Sequence, residues 1–365
     1  MRIAYGVHGY GRGHATRALA VLPELRRRHA LLILAGGDAY EALRNDYPVL
    51  QLPTLGYYYR RSGTRSNYLT AKHNLPGVLD LMLRGPTLQM VEAALRRFRA
   101  DAAICDAEPW THRAARRLGV PRIGFDHFGV MAYCRPEMRW VDRLIGLRDV
   151  WVYRWLMQRP ERVLVSSFFD APPRRRGVRR IRTLLRPEVY QVRAGHGDHL
   201  LVYFNKGQYL FSDRVRRALH EAGLPARVYG VGRVGSSGNL VFRMPGNTTF
   251  LADLASCRAV VSTAGNQLVG EAIHFGKPML VMPEDCVEQR VNARAVERLG
   301  IGRQVHQSRF SAEEIHSFLR DERMFRRCIS RLGGDGRAEA LAAIEEFLSE
   351  LTELSTERTA SSRVA

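Results

Sequence analysis

The feature of the sequence that most constrains its fold is a repeated alternation of short apolar runs with longer amphipathic runs. The apolar runs have the length of buried strands, whereas the amphipathic runs have helical periodicity. Because strands that alternate with helices build parallel sheets, we expect an α/β protein with two domains. The predicted strands are residues 2–7, 30–36, 49–53, 101–106, 121–126 and 162–168 in a first block, and 199–205, 226–232, 240–244, 259–263 and 278–283 in a second.

The domain boundaries follow from a segment at 174–199 that interrupts the alternation and is rich in arginine and turn residues. The chain of 365 residues is long enough for two domains of ordinary size. In such domains ligands bind at the carboxyl ends of the strands, so we expect a site in a shared cleft. The predicted units are an N-terminal domain at 1–180, a linker at 181–198, a C-terminal domain at 199–336, an amphipathic helix at 337–354 that is a candidate for packing back on the N-terminal domain, and a flexible tail at 355–365.

A glycine-rich loop, GVHGYGRGH at 6–14, follows the first strand and leads into a helix predicted at 15–28. Strand, glycine loop and helix are typical of a nucleotide-binding unit. The spacing departs from the dinucleotide-binding pattern, because His14 stands where that pattern has its third glycine. A histidine after glycines can cap or pack a helix, so the spacing alone assigns no chemical role to His14.

A second glycine turn lies in the stretch at 262–302, where a strand ends at Thr263 and Gly265 turns the chain into a helix. The N-terminus of a helix presents free backbone N–H groups and the positive end of a dipole, which suit a diphosphate. Glu271 follows one turn into this helix. Its carboxylate is placed to accept hydrogen bonds from two ribose hydroxyls, unless it lies on the surface.

Composition limits the partners and the compartment. The net charge is +20, which suits nucleic acid, anionic lipid or an acidic substrate, but only three of the 56 basic residues are lysines. Such an arginine excess is also what a GC-rich coding sequence produces. The five cysteines form no C-x-x-C motif and are expected to be free thiols, as in a reducing cytoplasm. Neither a secretory signal nor a run of about 20 apolar residues occurs, so we expect a cytoplasmic protein.

The stretch at 262–302 resembles the donor-binding motif of nucleotide-sugar glycosyltransferases of the GT-B fold. It is similar both to the UDP-sugar transferases of natural products and xenobiotics and to the peptidoglycan N-acetylglucosaminyl transferase. The resemblance implies two Rossmann-like parallel-sheet domains that face a cleft. The residues that carry it are Gly265, Glu271, Gly276 with Pro278, Pro283, and E-Q-R-V-N-A at 288–293.

The resemblance also implies roles for individual residues. His14 becomes the base that deprotonates the acceptor hydroxyl, and Asp106, at the end of a predicted strand, orients it unless Asp106 only caps its loop. Glu271 binds ribose, and Glu288 with Gln289 binds the donor sugar. The donor-binding residues implied are Asn205, Gly207, Thr263, Gly265, Asn266, Gln267, Glu271, Glu288 and Gln289.

The acceptor is expected in the N-terminal domain, beside the long polar and aromatic loop at 56–74. Tyrosines stack on rings and arginines bind carboxylates or phosphates, although such a loop can also be merely solvated. The acceptor is then anionic, aromatic or lipid-linked. The acceptor-binding candidates are Gly11, Arg12, Gly13, Tyr58, Arg60, Arg61, Asp126 and His127, the last two of which can equally serve in loop hydrogen bonding.

The segment at 139–159 contains Trp140, Trp151 and Trp155 among arginines. This mixture fits a helix at a membrane interface, and so a peripheral contact with the inner face of the membrane. It also fits a buried helix with one charged face.

The function implied is the transfer of a sugar from a nucleotide donor, UDP in the first instance, to an acceptor hydroxyl. The resemblance implies inversion at the anomeric carbon, no metal, and no cofactor besides the nucleotide sugar as co-substrate. Two alternatives remain at this point: a nucleotide-sugar 2-epimerase of the same fold, and a basic nucleic-acid-binding protein without transferase activity. Nucleic acid is the less expected partner.

Overall fold

The computed structural model describes residues 1–60, 65–204, 207–244 and 246–364. The N-terminal domain is a seven-stranded parallel sheet in the order β3-β2-β1-β4-β5-β6-β7. Its strands are β1 (Arg2–Val7), β2 (Ala30–Gly36), β3 (Val49–Leu52), β4 (Ala102–Asp106), β5 (Arg122–Asp126), β6 (Arg162–Ser166) and β7 (Val178–Ile181). Its helices are α1 (Arg12–Arg28), α2 (Gly37–Leu43), α3 (Asn67–Leu83), α4 (Pro86–Phe98), α5 (Pro109–Arg117), α6 (Gly129–Tyr133) and α7 (Trp140–Met157).

The C-terminal domain is a second seven-stranded sheet, in the order β10-β11-β9-β8-β12-β13-β14, in which β10 alone runs antiparallel to its neighbour. Its strands are β8 (Leu200–Tyr203), β9 (Ala226–Tyr229), β10 (Gly235–Ser237), β11 (Leu240–Arg243), β12 (Ala259–Ser262), β13 (Met279–Val281) and β14 (Gly302–Gln304). Its helices are α8 (Gly207–Leu210), α9 (Asp213–Glu221), α10 (Asn247–Ser256), α11 (Asn266–His274), α12 (Val287–Arg298), α13 (Ala312–Arg320) and α14 (Glu322–Ile329), and α15 (Arg337–Val364) follows. The α/β class and the two parallel-dominated sheets that the sequence predicts are confirmed.

The order of the strands sets where a site can form. In each sheet the chain starts in the middle and reverses its direction of growth, between β1 and β4 in the first sheet and between β8 and β12 in the second. The loops that leave the carboxyl ends of such neighbouring strands diverge and open a crevice. In the first sheet Val7 pairs with Asp106, so the loops after β1 and β4 emerge side by side.

Some elements differ from the sequence prediction, for local reasons. Helix α3 begins at Asn67, inside the loop predicted at 56–74, because the Ser66 hydroxyl accepts a hydrogen bond from the Leu69 N–H and caps it. The helical stretch predicted at 76–99 is two helices, which separate where Arg84 adopts a left-handed φ of 55° before a glycine and a proline.

The segment at 174–199, which interrupts the predicted alternation, contains the edge strand β7 at the end of the N-terminal domain. Its sequence, VRRI, shows little apolar pattern, because Arg179 and Arg180 bind Glu346 and Asp170 instead of packing in the core. Within the described part of the chain, no helix is both long enough and apolar enough to cross a membrane. The five cysteines are free.

The last helix, α15, crosses back to the N-terminal domain. Its buried side chains belong to the same core as Ile3 of β1 and Leu22 of α1. Glu339 and Glu350, on the same helix, form ion pairs with Arg182 and Arg162. The helix continues to Val364, through most of the range that the sequence predicts as a tail. The apolar face of α15 consists of Ala340, Ala343, Ile344, Phe347, Leu348 and Leu351.

We expect Ile344→Ala to lower the free energy of unfolding by about 2–5 kcal/mol, since it removes buried atoms and leaves a cavity between α15 and the N-terminal core. Urea unfolding of the purified protein measures the change. Ser349→Ala on the exposed side of the same helix is the matched control and should change stability by less than about 0.5 kcal/mol. Equal effects of the two variants would show that α15 contributes no core packing.

Candidate active site

The glycine-rich loop after β1 ties the start of α1 to the start of α2. The Gly9 carbonyl accepts a hydrogen bond from the Asp38 N–H at 2.9 Å, and the Asp38 carboxylate accepts one from the Gly11 N–H at 3.0 Å. A side chain on Gly9 would overlap Gly36, whose carbonyl carbon lies 2.4 Å from the position of a Cβ. Gly11 has a φ of 89°, which residues with a side chain rarely adopt. The glycines therefore allow a tight passage that brings the first turn of α1 to the cleft.

His14 on this first turn lies beside Asp106 at the end of β4. The Nδ1 atom of His14 is 2.6 Å from Oδ1 of Asp106. Asp106 is fully buried (0% exposed), whereas His14 is partly exposed and lines the cleft together with Gly11, Arg12 and Gly13. The structure thus places the two predicted residues in the geometry of a base and its orienting carboxylate.

Arg17, one turn after His14 on α1, binds the same carboxylate. Its Nε and a terminal nitrogen donate to the two oxygens of Asp106 at 2.7 and 2.6 Å. Arg17 is buried, and its guanidinium lies 5.9 Å from the centre of the Phe125 ring. The sequence analysis missed Arg17, although residues three apart on a helix share a face and His14 was already assigned to the cleft.

The electrostatics of this cluster fix the tautomer of His14. Burial alone would raise the pKa of Asp106, but the charges and hydrogen bonds of Arg17 and His14 outweigh it and hold the pKa below its ordinary value. The carboxylate is therefore ionised at neutral pH and can only accept hydrogen bonds. His14 must donate to it from Nδ1–H, which leaves Nε2 as the basic nitrogen. The neighbouring His8 is a weaker candidate for the base, because burial and the nearby His14 lower its pKa to about 3.

The opposite wall of the cleft is the N-terminus of α11, which begins after the turn at Gly265. The first backbone N–H groups of a helix have no partner within the helix. Helix α1 starts close by, since a Cβ on Gly13 would lie 3.9 Å from Cβ of Gln267. Two helices thus direct the positive ends of their dipoles at one place, beside Thr263, and this place favours a negative charge.

Glu271 lies one turn into α11, where it is buried and lines the cleft. Both of its carboxylate oxygens accept hydrogen bonds from Arg186 of the linker, at 2.9 Å from Nε and 3.1 Å from Nη2. Burial raises the pKa of Glu271, and the charge of Arg186 opposes that rise. The ionised state of Glu271 therefore depends on Arg186, which the sequence analysis did not assign to the site.

The side chains of Asn266 and Gln267 face the junction between the domains. Oδ1 of Asn266 accepts a hydrogen bond from the Phe168 N–H at 3.2 Å and one from the Thr183 hydroxyl at 3.3 Å. Gln267 donates from Nε2 to the Leu184 carbonyl at 2.5 Å. Nδ2 of Asn266 and Oε1 of Gln267 have no hydrogen-bond partner in the described structure, so these side-chain atoms, as well as the backbone N–H groups, are left to meet a ligand.

Glu288 and Gln289, in the first turn of α12, line the cleft as the sequence analysis expects of residues that bind a sugar. Gly207 has a different surrounding: a Cβ there would lie 2.4 Å from the carbonyl oxygen of Gly230, so this glycine lets α8 approach a turn. Two predicted site residues, Asn205 and Arg61, lie outside the residues that the structure describes.

Asp126 and His127, at the end of β5, have partners within the protein. Asp126 is buried and accepts a hydrogen bond from the Tyr153 hydroxyl at 2.5 Å. The Nδ1 atom of His127 is 2.7 Å from the Ser166 carbonyl oxygen, and Nε2 is 3.0 Å from Oδ1 of Asn292 in the other domain. Asp126 lies beneath the cleft and His127 touches it only from the domain junction. These contacts favour loop hydrogen bonding over the predicted acceptor binding.

In the loop after β3, the residues that line the cleft are sequence neighbours of the predicted acceptor-binding residues. Tyr58 stacks on His73 with ring centres 4.4 Å apart, and Arg60 is exposed, so both point away from the cleft in the described structure. Tyr57 and Tyr59 line it instead. The reason is that side chains of an extended segment alternate between its two sides.

Tyr59 connects this loop to the C-terminal domain. Its hydroxyl donates to Glu284 at 2.9 Å, and its ring stacks on Tyr209 with centres 5.1 Å apart. Arg65, where the described loop resumes, lies 3.5 Å from the centre of the Tyr57 ring. The loop therefore spans the cleft between the two domains.

The cleft has a volume of about 1390 Å³. On the side of the N-terminal domain its wall is largely apolar, between α3 and α7. Over the described ranges, no group of three or more His, Cys, Asp or Glu side chains is placed to hold a metal ion. The apolar residues on the side of the N-terminal domain include Leu55, Leu75, Val78, Phe128, Val152 and Leu156.

Replacing Arg17 by methionine should destabilise the protein at pH 7 by about 3–5 kcal/mol, because it leaves the buried carboxylate of Asp106 without its main counter-charge. Urea unfolding measures the loss. The double variant Arg17→Met, Asp106→Asn is the control and should recover part of the stability, since it leaves no buried charge behind.

The stability difference between Arg17→Met and the wild type should depend on pH, because the two proteins hold the pKa of Asp106 on opposite sides of its ordinary value. In the wild type the folded-state pKa of Asp106 lies below the ordinary value of 3.8, so its contribution to stability is present above about pH 4 and is lost as the pH falls through the folded-state pKa. In Arg17→Met burial dominates and raises that pKa, so the variant should gain stability relative to wild type between pH 7 and pH 5. A difference that does not vary with pH would contradict the role of Arg17 as counter-charge.

Comparison with known proteins places this geometry in a family. The model of the family described as glycosyl transferase family 1 matches residues 1–322. No curated protein matches the sequence.

Solved structures share the fold at low sequence identity. The glycotransferase of kitacinnamycin is 20% identical, with a TM-score of 0.63 over 94% of this chain and 98% of that one. Phytolacca americana UGT2, complexed with UDP-2fluoro-glucose and pterostilbene, is 14% identical, with a TM-score of 0.62 over 96% and 99%. Acinetobacter baumannii MurG is 14% identical, with a TM-score of 0.58 over 94% and 99%. With the match of the family model, the chain belongs to glycosyl transferase family 1 and is a glycosyltransferase of the GT-B fold.

Proposed function

We propose that the enzyme transfers a sugar from a UDP-sugar to an acceptor hydroxyl, with inversion at the anomeric carbon and without a metal ion. The observation that carries the proposal is the contact of His14, on the first turn of α1, with Asp106, at the end of β4, close to the N-terminus of α11. A candidate base and a helix N-terminus suited to an anion thus lie together at one cleft. The UDP-sugar in the structure of a protein with this fold supports the choice of donor.

In the proposed step, Nε2 of His14 takes the proton of the acceptor hydroxyl as its oxygen attacks the anomeric carbon. The bond from that oxygen to the anomeric carbon forms while the bond from the carbon to the diphosphate oxygen breaks. Asp106 holds Nδ1–H and stabilises the positive charge that develops on the ring. Because Arg17 fixes the carboxylate from the other side, the imidazole keeps one orientation throughout.

The leaving diphosphate gains negative charge in this step. The N-termini of α1 and α11 present backbone N–H groups and the positive ends of two dipoles at the place where they meet. We propose that these groups stabilise the leaving group, so the reaction does not require a divalent cation. Arg12, which is exposed in the first turn of α1, adds a mobile positive charge at the same rim.

The ribose is proposed to bind Glu271. A carboxylate has about four lone-pair positions, and Arg186 uses one on each oxygen while Gln267 also reaches the carboxylate. We propose that the ribose hydroxyls use the positions that remain. Glu288 and Gln289 are proposed to bind the hydroxyls of the donor sugar. For the acceptor, the apolar wall between α3 and α7 favours a molecule with a large apolar portion over a small anion.

We expect His14→Ala to lower kcat by about 10²–10⁴-fold, because it removes the general base, and to leave UDP affinity within a few-fold of wild type. Asp106→Asn should lower kcat less. UDP release from UDP-sugars in the presence of a hydroxyl acceptor and a chelator measures turnover, and calorimetry measures UDP affinity.

His73→Ala, at a histidine of α3 that faces away from the cleft, is the matched control and should be near wild type. Near-normal turnover of His14→Ala would exclude His14 as the base. Conversion of a UDP-sugar to its C2 epimer without an acceptor would identify an epimerase instead.

Glu271→Ala should weaken UDP binding by about ten- to a hundredfold, because hydrogen bonds to a charged group contribute about 1.5–3 kcal/mol. It should also abolish the preference for UDP over 2′-deoxy-UDP, since the group that recognises the hydroxyl is gone. Calorimetric titration of both nucleotides gives the ratio of the two affinities.

The control for this variant is Arg186→Ala, which removes the ion pair but keeps the carboxylate. It should weaken UDP yet retain a preference for the ribose form. The ratio is the decisive quantity because loss of Glu271 also frees the charge of Arg186, which alters the binding of any anion. If Glu271→Ala keeps the wild-type ratio, ribose recognition lies elsewhere.

A further inference from the structure

Helix α3 carries an apolar stripe on its outer side, next to the cleft. Its members are spaced by four, seven and eight residues from the first, so they lie on one face of the helix. Leu83 at the end of the stripe is 75% exposed. In the described part of the chain, no element covers these four side chains, since all of them are exposed. The stripe consists of Leu75, Leu79, Met82 and Leu83.

Helix α7 carries a second exposed stripe, made of Trp140, Leu144, Leu147 and Trp151 at offsets of four, seven and eleven residues. Trp140 and Trp151 are 73% and 67% exposed. The sequence left open whether this segment is a membrane-interface helix or a buried helix with a charged face. The exposure of both tryptophans contradicts the buried alternative.

The two stripes flank the mouth of the same cleft. Arg113 of α5 joins the helices, because its guanidinium donates to the carbonyls of Leu81 in α3 and Trp155 in α7 at 3.3 and 3.0 Å. Leu75 of the α3 stripe and Val152, next to Trp151, are both exposed and both line the cleft. The apolar surface is therefore continuous with the apolar wall inside. We call this surface, the outer sides of α3 and α7 together, the α3–α7 face.

The charges of the α3–α7 face are predominantly positive. Lys72 is exposed on α3, and Arg139 and Arg143 are exposed at the start of α7. The acidic residues of the two helices have partners of their own. Asp80 accepts from the Trp110 side chain and the first backbone N–H groups of α4, Asp142 is bound by Arg290, and Asp149 by Arg148.

We propose that the α3–α7 face docks on the surface of an anionic lipid bilayer. Globular proteins rarely expose large apolar side chains in contiguous rows, and tryptophan among arginines suits the interface between headgroups and acyl chains. The arginines bind lipid phosphates and the apolar stripes enter the interface, so the surface has the two signals that stable anchoring needs. A second copy of the chain fits less well, because a twofold contact would bring like-charged faces together.

Docking in this orientation places the mouth of the cleft at the membrane. An acceptor whose apolar portion stays in the bilayer would reach His14 between α3 and α7 without leaving the lipid. This last step rests on the proposed function, whereas lipid docking itself does not.

Sedimentation with vesicles tests the docking. The full-length protein should bind vesicles of phosphatidylglycerol and phosphatidylcholine, and it should bind phosphatidylcholine vesicles at least about tenfold more weakly. Trp151→Ser and Leu147→Ser together should weaken binding by about tenfold or more, since each removes an apolar side chain that would be buried in the interface. Met324→Ser and Val234→Ser, at exposed apolar residues outside the α3–α7 face, form the matched control and should bind as wild type.

Failure to bind phosphatidylglycerol vesicles at low salt would overturn the proposal, as would binding that the α7 variant leaves unchanged. Sedimentation velocity without lipid tests whether a second copy of the chain binds the α3–α7 face instead. A dimer that the α7 variant dissociates would also overturn the proposal. UDP affinity, measured by calorimetry in the same variants, should equal that of wild type. Failure of the proposed function would appear as absent UDP binding or turnover with vesicle binding intact, so the two failures can be told apart.

Discussion

The catalytic half of the cleft depends on one buried carboxylate. Asp106 is removed from water at the end of β4, and an ionised group in that position is unfavourable unless it is paired and hydrogen-bonded. Arg17 and His14 supply both conditions from successive turns of α1. Since β1 precedes α1 and pairs with β4, the order of the strands fixes the distance between the imidazole and the carboxylate. The position of the base therefore follows from the topology of the sheet.

The arginine excess has several different destinations in the structure. Arg17 and Arg122 are buried and bind Asp106 and Glu161, so they serve the interior. Arg186 neutralises a carboxylate in the cleft. Others, such as Arg139 and Arg143, lie on the surface beside apolar side chains. The net charge of +20 therefore does not by itself indicate an anionic partner. Only the positions of the arginines distinguish internal ion pairs from a surface that binds anions.

The sequence predicted those parts of the fold and site that local pattern determines. Strand β12, the turn at Gly265 and the helix carrying Glu271 follow one another directly in the sequence, and glycines at helix starts leave a clear signal. Contacts between distant residues leave none. Arg17 and Asp106 are 89 residues apart, and Arg186 and Glu271 are 85 apart.

The residues around each member of these two ion pairs contain no pattern that identifies its partner. The loop after β3 illustrates the remaining difficulty. Its composition pointed to the cleft, but which of three consecutive tyrosines faces inward depends on the backbone direction, and composition carries no such information.

The two domains are joined beside the cleft by polar contacts that are largely buried. Asn266 accepts from Phe168, His127 contacts Asn292, and Tyr59 donates to Glu284, so each domain supplies partners to the other. A buried polar group that loses its partner costs about 1–3 kcal/mol, and pulling the domains apart would strand several at once. The separation of the base from the helix end of α11 is consequently held by the junction itself. An inverting displacement needs the hydroxyl, the anomeric carbon and the leaving oxygen in line, and a preformed separation provides that alignment before either substrate arrives.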